Sequence, residues 1–235
     1  MTDQERRAQL AAALAEVNGR IGRACAAAGR PADEVTLVAV TKTYPASDVI
    51  LLAGLGVTDV GENRDQDAAP KAEEARAAGA TPRWHFIGQL QRNKVRSVVR
   101  YADVVESVDS VRLAEALARA AADRPEPLDV LVQVSIDGAA GRGGAAGDEL
   151  WRVSDSVADA NALRLGGVMA VAPMDWDPDR AFSALHALSE RLVKTHSGAT
   201  VISAGMSGDL EAAVRHGATH VRIGTSLLGM RNPLR

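Results

Sequence analysis

The sequence predicts a single α/β domain, a (β/α)8 TIM barrel with an extra N-terminal helix, spanning residues 1–235. Three observations carry this reading. Eight apolar, β-branched stretches recur along the chain, helical patterns separate them, and no Gly/Ser-rich linker or composition shift divides it. Near-continuous apolar strands are what a parallel sheet covered by helices requires. A doubly wound open sheet is the competing arrangement.

The first 30 residues read as one long helix, with Leu10, Leu14, Val17 and Ile21 at helical spacing and polar residues opposite. Gly29-Arg30-Pro31 stops it. Preceding the first strand, it would cover the gap beside the last. Strands are expected at 36–41 (TLVAVT), 57–60 (VTDV), 84–87 (WHFI), 104–108 (VVESV), 129–136 (DVLVQVSI), 165–171 (LGGVMAV), 200–204 (TVISA) and 220–224 (HVRIG). Helices are expected at 46–55, 65–79, 91–101, 110–122, 147–160, 178–196 and 208–216. The Gly-rich stretch DGAAGRGGAAGD at 137–148 reads as one long, mobile loop after the fifth strand.

Composition narrows the function classes. With 46% hydrophobic and 24% charged residues the chain is an ordinary globular one, and a net charge of −3 offers no basic surface for nucleic acid or a membrane. The N-terminus lacks the apolar core of a signal peptide, and no run approaches the roughly 18 apolar residues of a span. A cytoplasmic protein is expected. The single cysteine, Cys25, sits in a helical pattern and reads as a buried structural thiol.

In such a barrel, function gathers at the C-terminal ends of the strands. Lys42 follows the first strand, Gly61-Glu62-Asn63 the second, and Ala204-Gly205-Met206-Ser207-Gly208-Asp209 the seventh. His85 lies in the third strand; Arg222 lies in the eighth, just before Gly224 and Thr225. The segments after strands seven and eight suit a phosphate: backbone N–H groups at helix starts donate to anions, and glycine allows close approach. Ser207 reads as a helix N-cap. A lysine at a strand end opposite a phosphate cradle is a Schiff-base candidate. Two ligand types fit, a sugar phosphate and pyridoxal 5′-phosphate. Arg222 could face a pyridine nitrogen and keep it unprotonated, or form a structural ion pair.

The stretches LVAVTKTYP, VGENRDQDAAPK, WHFIGQLQRNKV, ESVDS, LDVLVQVSIDG, LGGVMAVAP and SAGMSGDLEAAVRHGATHVRIGTSLLG extend over nearly the whole chain. In this order they resemble the pyridoxal phosphate homeostasis proteins, single-domain relatives of the alanine racemase N-terminal barrel. The resemblance implies that Lys42 holds pyridoxal 5′-phosphate as an aldimine and that Arg222 approaches the pyridine nitrogen. It implies that Ser207, Gly224 and Thr225 hold the phosphate, and that Asn63, His85 and Met206 line the pocket. Glu62 would orient neighbours or cap a turn.

Alanine racemases carry a second domain with a catalytic tyrosine, for which this chain is expected to have no room. Its tyrosines are Tyr44 and Tyr101. The resemblance thus points to a monomeric carrier that buffers the cofactor in vitamin B6 homeostasis and hands it to apo-enzymes. Weak racemase-like turnover and a sugar-phosphate aldolase are the alternatives. Where some family members carry a lysine proposed as a second cofactor site, this chain has Arg142, which could bind a phosphate but not form an aldimine.

Overall fold

The computed structural model describes residues 2–139, 141 and 143–229. Eight strands close into a parallel barrel in sequential order. They are β1 (Thr36–Val40), β2 (Asp59–Glu62), β3 (Arg83–Phe86), β4 (Val104–Val108), β5 (Leu128–Gln133), β6 (Leu163–Met169), β7 (Val201–Ser203) and β8 (His220–Ile223). Closure is made where β8 returns to β1, with Val38 opposite Arg222, so the open-sheet alternative is excluded.

The helices follow from the same alternation. They are α1 (Asp3–Ala27), α2 (Ala46–Gly54), α3 (Asp65–Ala77), α4 (Val95–Val98), α5 (Val111–Ala121), α6 (Asp148–Ala158), α7 (Pro178–Thr195), α8 (Leu210–Arg215) and α9 (Thr225–Leu228). A capping box starts α1: Thr2 Oγ1 accepts from the Glu5 N–H while Glu5 accepts from the Thr2 N–H. The buried face of α1, with Leu10, Leu14, Val17 and Ile21, packs in one apolar cluster with Val49 and Leu52 of α2, Leu210 of α8 and Leu227 of α9. The first helix therefore covers the seam beside β8, as the sequence suggests. Cys25 lies in this cluster, fully buried.

Two expected elements change most, and β2 runs on to Glu62, so Gly61 and Glu62 lie within the strand. The helix expected over 91–101 is a 3-10 turn at Arg92–Lys94 followed by the four-residue α4. Val95, Val98 and Val99 are β-branched, which weakens a helix, and packing spends them on the apolar cluster behind β4. The fifth strand stops at Gln133. The Gly-rich segment folds back on its end instead: the Ala145 N–H donates to Gln133 O (2.7 Å) and Ala145 O accepts from the Ser135 N–H (3.0 Å). Arg142 lies outside the described residues. Between β5 and β6 the register shifts at Gly167, whose φ of +148° and close approach to Val201 leave no room for a side chain.

Apolar residues fill the layer between strands and helices, but not the whole barrel interior. Branched apolar side chains normally fill that space. Here Asp59, His85, Glu106, Ser203 and Arg222 are all buried and joined by hydrogen bonds or close charge contacts. Among the described residues no helix is long and apolar enough to cross a membrane.

Candidate functional site

The strand order places β7, β8, β1 and β2 side by side. The C-terminal ends of these neighbours carry Met206 and Ser207, Arg222, Gly224 and Thr225, Lys42, and Asn63 respectively. One continuous arc of the rim thus holds every expected site residue except His85.

Lys42 is exposed, one residue beyond the buried Thr41. Its backbone is fixed from behind. The buried Lys71 of α3 donates to Thr41 O (2.9 Å) and pairs with Glu62 Oε1, which also accepts from Thr41 Oγ1 (2.7 Å). Glu62 therefore orients neighbours and caps no turn. A buried pair of this kind contributes little net stability, but losing one partner strands the other charge. Next to Glu62, Asn63 is half-buried, and its backbone lies against Gly88: a Cβ at Gly88 would fall 2.2 Å from Asn63 O.

Ser207 does not cap α8. Asp209 occupies the N-cap position and its Oδ1 accepts from the Met206 N–H (2.6 Å). Ser207 Oγ instead accepts from the Ser226 N–H (3.4 Å), tying the segment after β7 to the one after β8. Among the described residues, the backbone N–H groups of Ser207, Gly208, Gly224 and Thr225 donate to no protein acceptor. Four unspent donors on two joined segments form a cradle for an anion. Arg20 of α1 braces it by donating to Ser207 O (3.0 Å) while pairing with Glu211. Met206 is 41% exposed, an apolar side chain left beside the cradle.

Arg222 is buried. One Nη donates to Ser203 Oγ (2.7 Å), the other to Ala170 O (2.8 Å), and Glu106 Oε2 stands 3.8 Å away. Burial pulls its pKa down and Glu106 partly offsets this, so the guanidinium keeps its charge. The two readings of Arg222 are compatible in one side chain, which is ion-paired below and lies on the strand that leads into the cradle.

His85 departs from the expected wall position. It lies in the barrel interior with Nδ1 2.7 Å from Glu106 and Nε2 2.9 Å from Asp59, so neither nitrogen is free for a ligand. Burial alone would push the imidazole down; the two carboxylates outweigh it and raise it from 6.5 to about 9. Burial likewise pushes Glu106 up, and His85, Arg222 and Ser203 pull it down to about 2. Sequence reading passed over Asp59, Lys71 and Ser203. A helical lysine reads as solvated and a strand serine as neutral filling; the available signal was parity, since Asp59 and His85 recur on the inward face of successive strands.

A cavity of about 740 Å³ lies elsewhere, between α3 and the Arg100–Tyr101 segment outside the barrel. It shares no residue with the rim.

The alanine racemase N-terminal domain family matches residues 16–232. The pyridoxal phosphate homeostasis protein of Mycobacterium leprae is 42% identical over 248 residues, covering 97% of this chain and 96% of that one. The Escherichia coli protein of the same name is 35% identical over 223 residues, covering 93% and 95%. PipY of Synechococcus elongatus, whose structure was solved with PLP bound, superposes with a TM-score of 0.81 at 29% identity, covering 94% of this chain and all of that one. Alanine racemase from Corynebacterium glutamicum shares the fold, with a TM-score of 0.69 at 17% identity over 97% of this chain and 62% of that one. The chain belongs to the pyridoxal phosphate homeostasis proteins, within the alanine racemase N-terminal domain family.

Proposed function

We propose that this protein binds pyridoxal 5′-phosphate at the rim formed by β7, β8, β1 and β2 and serves in homeostasis of that cofactor, holding it without catalytic turnover. The observation that carries the reading is the pairing, on one arc, of an anion cradle of unspent N–H groups with a strand-end lysine. The relatives' names and the PLP in the solved PipY structure support the same ligand. When bound, the cofactor supplies an aldehyde that a lysine amine engages covalently.

The roles follow from the residues. Ser207, Gly224 and Thr225 hold the phosphate with backbone N–H and hydroxyl donors. Lys42 offers the amine on a strand end stiffened by Glu62 and Lys71. Arg222 presents a fixed cation toward the ring nitrogen, which disfavours its protonation. Asn63 and Met206 flank the ring, and His85 acts from beneath, through Glu106.

Two observations favour holding over turnover. The Tyr44 hydroxyl donates to Gly229 O (2.7 Å), and Tyr101 packs edge-on against Trp84 outside the barrel. The Tyr44 hydroxyl is thereby spent on a backbone carbonyl and Tyr101 lies away from the rim, whereas a two-base racemisation needs a proton donor on each face of the ring. A monomer acting in the cytoplasm and releasing the cofactor to apo-enzymes completes the proposal.

The test is an absorption spectrum of the purified protein with pyridoxal phosphate, before and after borohydride, for wild type and Lys42→Ala. A band fixed by reduction onto Lys42 and missing from the variant is expected. No band after adding pyridoxal phosphate sinks the reading. Chiral analysis after incubation with alanine should show no sustained interconversion.

A further inference from the structure

Five side chains from five strands form an unbroken chain through the barrel interior. Asp59 on β2 meets His85 on β3 at 2.9 Å, and His85 meets Glu106 on β4 at 2.7 Å. The Ser203 hydroxyl on β7 donates to Glu106 Oε2 at 2.7 Å and accepts from Arg222 on β8 at 2.7 Å. Both carboxylate oxygens of the fully buried Glu106 are thus committed, one toward His85 and one toward Arg222.

The charges alternate along this chain: Asp59 negative, His85 positive, Glu106 negative, Arg222 positive. Such a sequence sums to zero, which is what a low-dielectric interior tolerates. Among the described residues Glu106 links the two cations, meeting His85 directly and Arg222 both at 3.8 Å and through Ser203. Without its charge, His85 and Arg222 would face each other across the barrel with Asp59 beside His85 and the more distant charge of Asp209 near Arg222 to balance them. Of the other titratable neighbours, Asp209 acts on Arg222 from the segment after β7, and His220 has its ring 6.0 Å from His85 and its Nδ1 against Thr219 Oγ1. Arg83 stands at the outer end, beside Asp59 and His220, where it pairs with Asp129.

We propose that Glu106 is a positioning residue for Arg222, holding the guanidinium beneath the cofactor's ring by its charge and through the Ser203 hydroxyl, with His85 and Asp59 fixing Glu106 in turn. This rests on the assignment of pyridoxal phosphate to the rim above Arg222. It assigns the polar interior a purpose: one arginine is kept charged and aimed at a site it does not itself close.

The experiment compares wild type with Glu106→Gln and Ser203→Ala. In the protein without cofactor, nitrogen NMR of His85 at neutral pH should show both ring nitrogens protonated in wild type and one deprotonated in Glu106→Gln. With pyridoxal phosphate added, Glu106→Gln should bind about tenfold more weakly, with a displaced absorption band still reducible onto Lys42. Ser203→Ala, which deletes only a hydroxyl, should weaken binding about fivefold and move the band the same way. If Glu106→Gln does not fold, Ser203→Ala carries the test. Wild-type affinity and band position in the folded variants overturn the proposal, as does an unchanged His85 signal in Glu106→Gln. If wild type itself takes up no pyridoxal phosphate, the assignment of the rim fails instead, while the His85 signal still reports whether Glu106 holds the chain together.

Discussion

The buried ammonium of Lys71 donates a hydrogen bond to the carbonyl oxygen of Thr41, 2.9 Å away, on the residue that precedes Lys42. A helix behind the barrel thereby fixes the peptide that carries the candidate cofactor lysine. Lys71→Met should leave Glu62 as a buried carboxylate whose cationic partner is gone, at a cost of about 3 kcal/mol. Urea denaturation measures this. Lys71→Met combined with Glu62→Gln should recover part of the loss, and a double variant as unstable as the single one would refute the pairing argument.

Lys42 should show the opposite profile. Its side chain is exposed, so Lys42→Ala should shift folding stability by no more than about 0.5 kcal/mol. The same substitution should abolish the borohydride-fixed band. Thermal melts run beside the spectra separate the two effects; a large loss of stability would make Lys42 a structural residue.

Gly88 is constrained by a neighbour across the rim. A methyl group there would overlap the backbone of Asn63, with contacts of 2.2 to 2.8 Å to three of its atoms. Gly88→Ala must push the β2 end outward, and a cost of about 2 kcal/mol is expected. Because Asn63 moves with it, pyridoxal phosphate affinity should fall further than in Asn63→Ala, which removes the side chain alone. Equal affinities for the two variants would show that the position of this backbone does not matter to the site.

These residues also show what was legible in the sequence. The barrel was, because every strand is an apolar, β-branched run and helical spacing returns between them. The rim was too, because polar residues that interrupt such runs at their ends have few places to go in a parallel barrel. The interior chain was not. Glu106 reads as a polar strand-end residue, yet it lies two residues beyond Val104, which stands opposite His85, and so shares the inward face of that histidine. His85 reads as a ring neighbour, because sequence order cannot reveal that Asp59 and Glu106 flank it on adjacent strands. Ser207 reads as a cap, because only the folded chain shows Ser226 reaching across to it. Contacts between strands distant in sequence are three-dimensional facts, and the site depends on them.

The interior chain makes a signed prediction for pH. His85 is raised from 6.5 to about 9, so its contribution to stability is complete below pH 6.5 and is lost as pH rises toward 9. Glu106 is lowered from 4.5 to about 2, so its contribution is complete above pH 4.5 and is lost as pH falls toward 2. Asp59, also lowered, acts on the acid side. Burial and the His85 charge lower His220, which starts a smaller acid-side loss just below 6.5. Stability should therefore peak at about pH 6. Between about pH 6.5 and 8.5 it should fall by on the order of 2 kcal/mol, as the unfolded chain gives up a proton that the folded chain keeps. Urea midpoints across this range test the slope in wild type and in His85→Gln. The variant cannot hold that proton, so its stability should be lower overall and nearly flat over the same interval. A variant that keeps the wild-type slope would place its origin in another group and show that His85 is neutral in the folded barrel.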